Sequence, residues 1–96
     1  MHPDTVCQHL DISGKVQGVG FRVALQDTAR AMQLTGWVRN RRDGRVEALL
    51  QGRQSDLDAM RAWCHRGPPL AHVDAVAVTP RPTDPSLVDM QCLATA

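Results

Sequence analysis

The stretch Gly14-Lys15-Val16-Gln17-Gly18-Val19-Gly20-Phe21-Arg22 does most to restrict what this chain can fold into. Before it, Leu10 and Ile12 alternate with His9, Asp11 and Ser13; after it, Phe21, Leu25, Ala29 and Met32 recur at helical spacing. A period of two giving way to a period of 3.6 means a strand running through a glycine turn into a helix. Gly18 and Gly20 accept positive φ and let main-chain N–H groups come close to a ligand, and the first N–H groups of the helix have no intrahelical partner. Such a turn favours an anion. Arg22, at the helix mouth, adds a planar fork of donors that matches phosphate or carboxylate. On spacing alone two readings stand: a phosphate cradle, or a tight turn whose glycines serve geometry and whose arginine faces water.

Two other phosphate motifs are excluded. A Walker A loop ends in Gly-Lys-Ser or Gly-Lys-Thr, and neither follows Gly18 or Gly20. The dinucleotide fingerprint GxGxxG fails at its last glycine, where Val23 stands.

The remaining pattern completes a small α+β domain. The first strand spans Val6 to Val16, with Leu10, Ile12 and Val16 facing a core. His9 and Asp11 lie on the opposite, wet face, which predicts a solvated role for both. The first helix spans Phe21 to Gln33. Strands follow at Thr35–Asn40, carrying Trp37 and Val38, and at Arg45–Gln51, carrying Val46, Ala48 and Leu50, with the hairpin signal Asp43-Gly44 between them. Ser55-x-x-Asp58 has the form of a capping box, and Leu57, Met60 and Cys64 form the apolar stripe of a second helix over Gln54–His65, stopped by Gly67-Pro68-Pro69. Val73, Ala75 and Ala77 alternate with Asp74, Val76 and Val78 in a strand over His72–Thr79. Pro80, Pro82 and Pro85 then mark a turn-rich connection, and Leu87–Ala94 supplies a last edge segment. The order βαββαβ, with right-handed crossovers, interleaves two units into a four-stranded antiparallel sheet with both helices on one face and an extra C-terminal edge strand.

The chain of 96 residues is read as one domain, 1–96, with 43% hydrophobic residues and six prolines, as a folded core requires. A net charge of +1 gives no general attraction to nucleic acid or membrane, and Arg39-Asn40-Arg41-Arg42 is the one basic cluster. No apolar run approaches the ~20 residues that span a bilayer. Cys7, Cys64 and Cys92, odd in number and far apart, read as reduced thiols of a cytoplasmic protein. His2, His9, His65 and His72 lie at no metal-ligand spacing, and no metal or cofactor is predicted.

The motif Gly14-x-Val16-Gln17-Gly18-Val19-Gly20-Phe21-Arg22, followed by Gly36-Trp37-Val38-Arg39-Asn40 and Asp43-Gly44-Arg45-Val46-Glu47, closely resembles the acylphosphatase family. The similarity continues through Gln51-Gly52, Trp63 and Arg66-Gly67-Pro68-Pro69. It implies a ferredoxin-like fold and metal-free hydrolysis of small acyl phosphates to a carboxylate and inorganic phosphate, and nothing in the sequence demands more than a monomer. The family's phosphate-binding arginine falls on Arg22 and its water-orienting asparagine on Asn40, and substrate binding falls on Gln17, Gly18, Val19, Gly20, Phe21 and Arg22. The tail Met90-Gln91-Cys92-Leu93-Ala94-Thr95-Ala96 departs from the family's usual aromatic-containing last strand. Two rivals share the βαββαβ order or the motif. An RNA-binding module would need exposed strand aromatics, and Phe21, Trp37 and Trp63 form no such run. An accessory domain, for partner binding or carbamoyl transfer, would not need both Arg22 and Asn40.

Overall fold

The computed structural model describes residues 2–96. Its elements are β1 (Thr5–Lys15), α1 (Phe21–Ala31), β2 (Thr35–Asn40), β3 (Val46–Arg53), α2 (Gln54–Arg66), β4 (His72–Arg81) and β5 (Met90–Cys92). The strands lie in the order β4-β1-β3-β2-β5. The first four are antiparallel neighbours, as the sequence predicts, while β5 pairs with β2 in parallel and makes the sheet five-stranded and mixed. Both helices pack on one face, α1 against β2 and β5, α2 against β4 and β3. The ferredoxin-like fold is the expected one.

Between helices and sheet lie Leu10, Ile12, Val38, Val46, Ala48 and Leu50 from the strands, met by Phe21, Leu25 and Ala29 of α1 and by Leu57, Met60 and Cys64 of α2. All are at most 1% exposed. Burying each large apolar side chain contributes about 1.5–3 kcal/mol, so the period-two and period-3.6 stripes fix which face of each element turns inward. Met90, fully buried, brings β5 onto the core.

Four details differ from the expectation, each for a local reason. β4 continues through Pro80 to Arg81, because it is an edge strand and the proline's missing N–H can lie on the unpaired side. The register of β1 on β4 shifts between Ser13 and Gly14, so Asp74 is bulged, the strict alternation is broken and Val73, Val76 and Val78 pack toward the core. The capping box at Ser55 is not used, since α2 starts directly from β3 with Arg53 as N-cap and no side-chain cap; Gln54 bonds Asp58 instead, at 2.9 Å. Finally, α1 ends at Ala31, two residues before Gln33, in a Schellman turn. The N–H of Leu34 bonds the carbonyl of Ala29 at 2.9 Å and that of Gln33 bonds Arg30 at 2.9 Å, with Gln33 at φ 59°. Among the described residues no helix is long and apolar enough to cross a membrane.

Candidate active site

The site is built where β1 hands over to α1. Gly18 and Gly20 sit at φ 73° and 78°. A Cβ at either position would meet nothing within 4 Å, so what the glycines supply is the left-handed turn itself, with open space above the loop. Gly20 is the N-cap of α1, which has no side-chain cap and no acidic residue in its first turn. The first bond of the helix runs from Ala24 N–H to the Gly20 carbonyl at 3.1 Å, so the earlier N–H groups of the turn remain available at the positive end of the helix dipole. Phe21 is 1% exposed and meets Trp63 edge-on at 5.5 Å, which anchors the helix start and leaves only the main chain of Phe21 for the site.

Asn40 comes from the last position of β2. It pairs with Val46, whose side chain is in the core, so Asn40 shares the helix-side face while Arg39 and Glu47, the next pair, share the open face. The hairpin beyond it closes through Arg41 N–H to the Arg45 carbonyl at 2.8 Å and Gly44 N–H to the Arg41 carbonyl at 3.1 Å, with Gly44 at φ 98°. The Asp43-Gly44 signal is thus realised as a three-residue loop ending in a left-handed glycine. The tail runs alongside: Leu93 N–H bonds Val38 and Ala96 N–H bonds the Asn40 carbonyl at 3.1 Å.

Arg22 and Asn40 line one cavity of about 140 Å³, together with Val16, Gln17, Gly18, Gly20, Phe21 and Val23. Of the residues singled out from the sequence, only Val19 is absent from the lining; it packs against the core. The arginine–carboxylate pairs among the described residues use Arg30, Arg39, Arg41, Arg45 and Arg61, which leaves the half-buried guanidinium of Arg22 uncompensated beside the N–H groups of the turn. Two larger cavities exist, of about 560 and 310 Å³, but neither contains Arg22 or Asn40. Size does not select the site here; the convergence of unpaired donors does.

The open face of the sheet holds what the sequence reading missed. His9 lies there as predicted, but it is not solvated: its side chain is 12% exposed and its Nε2 lies 2.6 Å from Oε2 of Glu47. Glu47 also accepts from Nε of Arg39 at 2.6 Å and Nη1 of Arg41 at 3.3 Å. Burial by itself raises the Glu47 pKa, but the hydrogen bonds from Arg39 and His9 outweigh it, and the carboxyl is held below its ordinary value. His9, Asp11 and Glu47 bring ligand atoms within 4.8 Å of one another, yet Arg39 and Arg41 occupy Glu47 and Arg45 lies 3.0 Å from Asp11, so cations are already in place on both carboxylates. The signal for this network was the outward parity of His9, Arg39 and Glu47. Trp37, an aromatic residue of this face, has the Arg39 guanidinium 4.7 Å over its ring, so it offers no bare platform for a base.

A ferredoxin-like domain with a donor-lined cavity at its first strand-to-helix turn is thus the class defined by fold and cavity. The sequence profile of the acylphosphatase family matches residues 8–91. An acylphosphatase of Trichormus variabilis is 54% identical over 70 residues, covering 73% of this chain and 69% of that one. An acylphosphatase of Marinobacter nauticus is 47% identical over 83 residues, covering 86% and 90%. The structure of an acylphosphatase from Coxiella burnetii superposes with a TM-score of 0.90 at 34% identity, covering 94% of each chain. The chain belongs to the acylphosphatase family.

Proposed function

We propose that this chain hydrolyses the carboxyl–phosphate bond of small acyl phosphates, with the main-chain N–H groups of Gln17–Arg22 and the Arg22 guanidinium holding the phosphoryl group and Asn40 orienting the attacking water. The observation that carries this reading is that Arg22 and Asn40, on different elements, line the same small cavity as the loop. The acylphosphatase relatives support the choice of reaction.

The chemistry asks little of the protein. Water attacks phosphorus as the bond from phosphorus to the acyl oxygen breaks, and the electron pair leaves on a carboxylate. Carboxylic acids have pKa near ~4, so that oxygen departs without a proton and no general acid is needed; the protons of water end on phosphate and solvent. Positioning and charge stabilisation on the equatorial oxygens remain. The donors of the loop and Arg22 supply the second, and the Asn40 amide, accepting a hydrogen bond from water through Oδ1, supplies the first. The substrate is a free small molecule and the product inorganic phosphate, with no nucleic acid or membrane involved. The chain acts as a monomer in the cytoplasm, where its three unpaired thiols stay reduced; sedimentation at 10.5 kDa checks the first point, and a larger species contradicts it.

The test is hydrolysis of acetyl phosphate after EDTA treatment. The rate stays undiminished, and simple alkyl phosphates, which need a protonated leaving group, are left nearly untouched. Arg22→Ala raises KM and removes competitive inhibition by phosphate, and Arg22→Lys restores little of either, a point charge being unable to replace a two-pronged contact. Loss of activity that Mg²⁺ or Zn²⁺ restores overturns the metal-free mechanism, and near wild-type kcat/KM in Arg22→Lys overturns the role of Arg22.

A further inference from the structure

The side chain of Gln17 points away from the phosphate loop it belongs to. Its Nε2 lies 2.6 Å from the carbonyl of Arg41 and 2.9 Å from that of Arg45. Two carbonyl acceptors determine which end of the amide faces them, since only the NH₂ end can donate twice. Both hydrogens are therefore taken up, and none is left for a phosphoryl oxygen. The two carbonyls are those that close the β2–β3 hairpin, accepting from Gly44 N–H and Arg41 N–H as well. Asn40 immediately precedes Arg41. A single side chain thus ties the loop that cradles the anion to the neck of the hairpin that presents Asn40.

We infer that Gln17 is a positioning residue for Asn40, setting the separation between the bound phosphoryl group and the oriented water, rather than a group that touches substrate through its side chain. This rests on the role given to Asn40 above. Without the tie, the cradle keeps its main-chain donors and Arg22, because these depend on Gly18, Gly20 and the helix start. What changes is the distance and angle from the cradle to Asn40. A misplacement of about an ångström at a site of this kind costs on the order of 10²-fold in rate. The effect falls on kcat and not on phosphate affinity.

Gln17→Met keeps the length and shape of the side chain and removes the donors. The expected result is a kcat on acetyl phosphate lower by on the order of 10-fold to 10²-fold, with the inhibition constant of inorganic phosphate within about twofold of wild type. In an Asn40→Ala background the same change has no further effect on kcat, because a residue acting through Asn40 has nothing left to position. A second variant, Gln17→Glu, adds a pH readout. Its carboxylate repels both carbonyls, while its protonated form can donate to one, so its kcat relative to wild type rises as pH falls through the carboxyl range. Circular dichroism of Gln17→Glu over the same pH range, with an unchanged native spectrum expected, separates positioning from a loss of folding, which protonation of the carboxyl would also relieve.

Unchanged kcat in Gln17→Met, a parallel weakening of phosphate, an undiminished effect in the Asn40→Ala background, or a flat relative pH profile for Gln17→Glu each overturns the inference. Failure of the wild-type chain to hydrolyse acetyl phosphate overturns the proposed function instead, so the two are distinguished by the unmutated control.

Discussion

Glu47 is the residue whose removal has the most calculable cost. It is 12% exposed and receives Arg39 at 2.6 Å, Arg41 at 3.3 Å and His9 at 2.6 Å, so Glu47→Gln leaves the shape in place while deleting the charge that all three face. Exposed ion pairs contribute ~0–1 kcal/mol, and breaking a buried one costs ~3–5 kcal/mol. Arg39 and Arg41 are 27% and 34% exposed and can turn toward water when the carboxylate is gone, which places the loss between those limits. About 2 kcal/mol is expected, a fall in Tm of roughly 8–16 °C for a domain of this size. The pH dependence has a definite sign. The folded-state pKa of Glu47 lies below its ordinary value of 4.5, so its contribution is complete above that value and is lost as pH falls through the lowered one. Urea denaturation of wild type and Glu47→Gln near neutral pH and again well below the ordinary carboxyl value therefore gives a gap that is smaller in the second case than in the first. Equal midpoints at neutral pH, or a gap that does not shrink in acid, would refute the reasoning.

Two further outcomes follow from local geometry. Gln33 holds a left-handed conformation at φ 59° at the end of α1, so Gln33→Gly relieves strain and, after its added freedom in the unfolded chain is counted, raises stability by about 0.5–1 kcal/mol, measured by urea midpoint; a drop in the midpoint would contradict the Schellman assignment. Burial pushes the Cys64 thiol up to about 12 and, with the charge of Asp84, also raises Cys7, whereas Cys92 is exposed. An alkaline thiol titration of the native protein therefore labels Cys92 first and releases the other two only on denaturation; labelling of Cys64 as fast as Cys92 would show that the core opens.

Most of the architecture was legible because each element carries its own period and its own stop. Phe21, Leu25 and Ala29 specify a helix face, Leu10 and Ile12 a strand face, and Gly67-Pro68-Pro69 an end. What could not be read came from contacts between elements. The bulge at Asp74 breaks the alternation of β4 through pairing with β1, and no local feature of Val73–Val78 announces it. The helix start at Gln54 bypasses Ser55 because β3 feeds α2 without a loop. In the site, Arg22 and the glycines could be placed by the strand-turn-helix pattern, and Asn40 by resemblance. The tie from Gln17 to Arg41 and Arg45, and the closure of His9 by Glu47, join residues far apart in sequence whose types alone, a glutamine and a histidine on a wet-looking face, indicate nothing of their partners.

In the proposed mechanism a neutral amide at position 40 orients the water. Steady-state kinetics and phosphate titration of Asn40→Ala and Asn40→Asp, with circular dichroism to confirm folding, test it most directly. Asn40→Ala lowers kcat by a factor on the order of 10²–10³, the scale of a single polar catalytic group, while phosphate affinity stays near wild type because the loop and Arg22 are intact. Asn40→Asp keeps the shape but sets a carboxylate beside a dianionic phosphoryl group, so it turns over no faster than Asn40→Ala and binds phosphate more weakly. A folded Asn40→Asp enzyme with wild-type kcat would contradict the account.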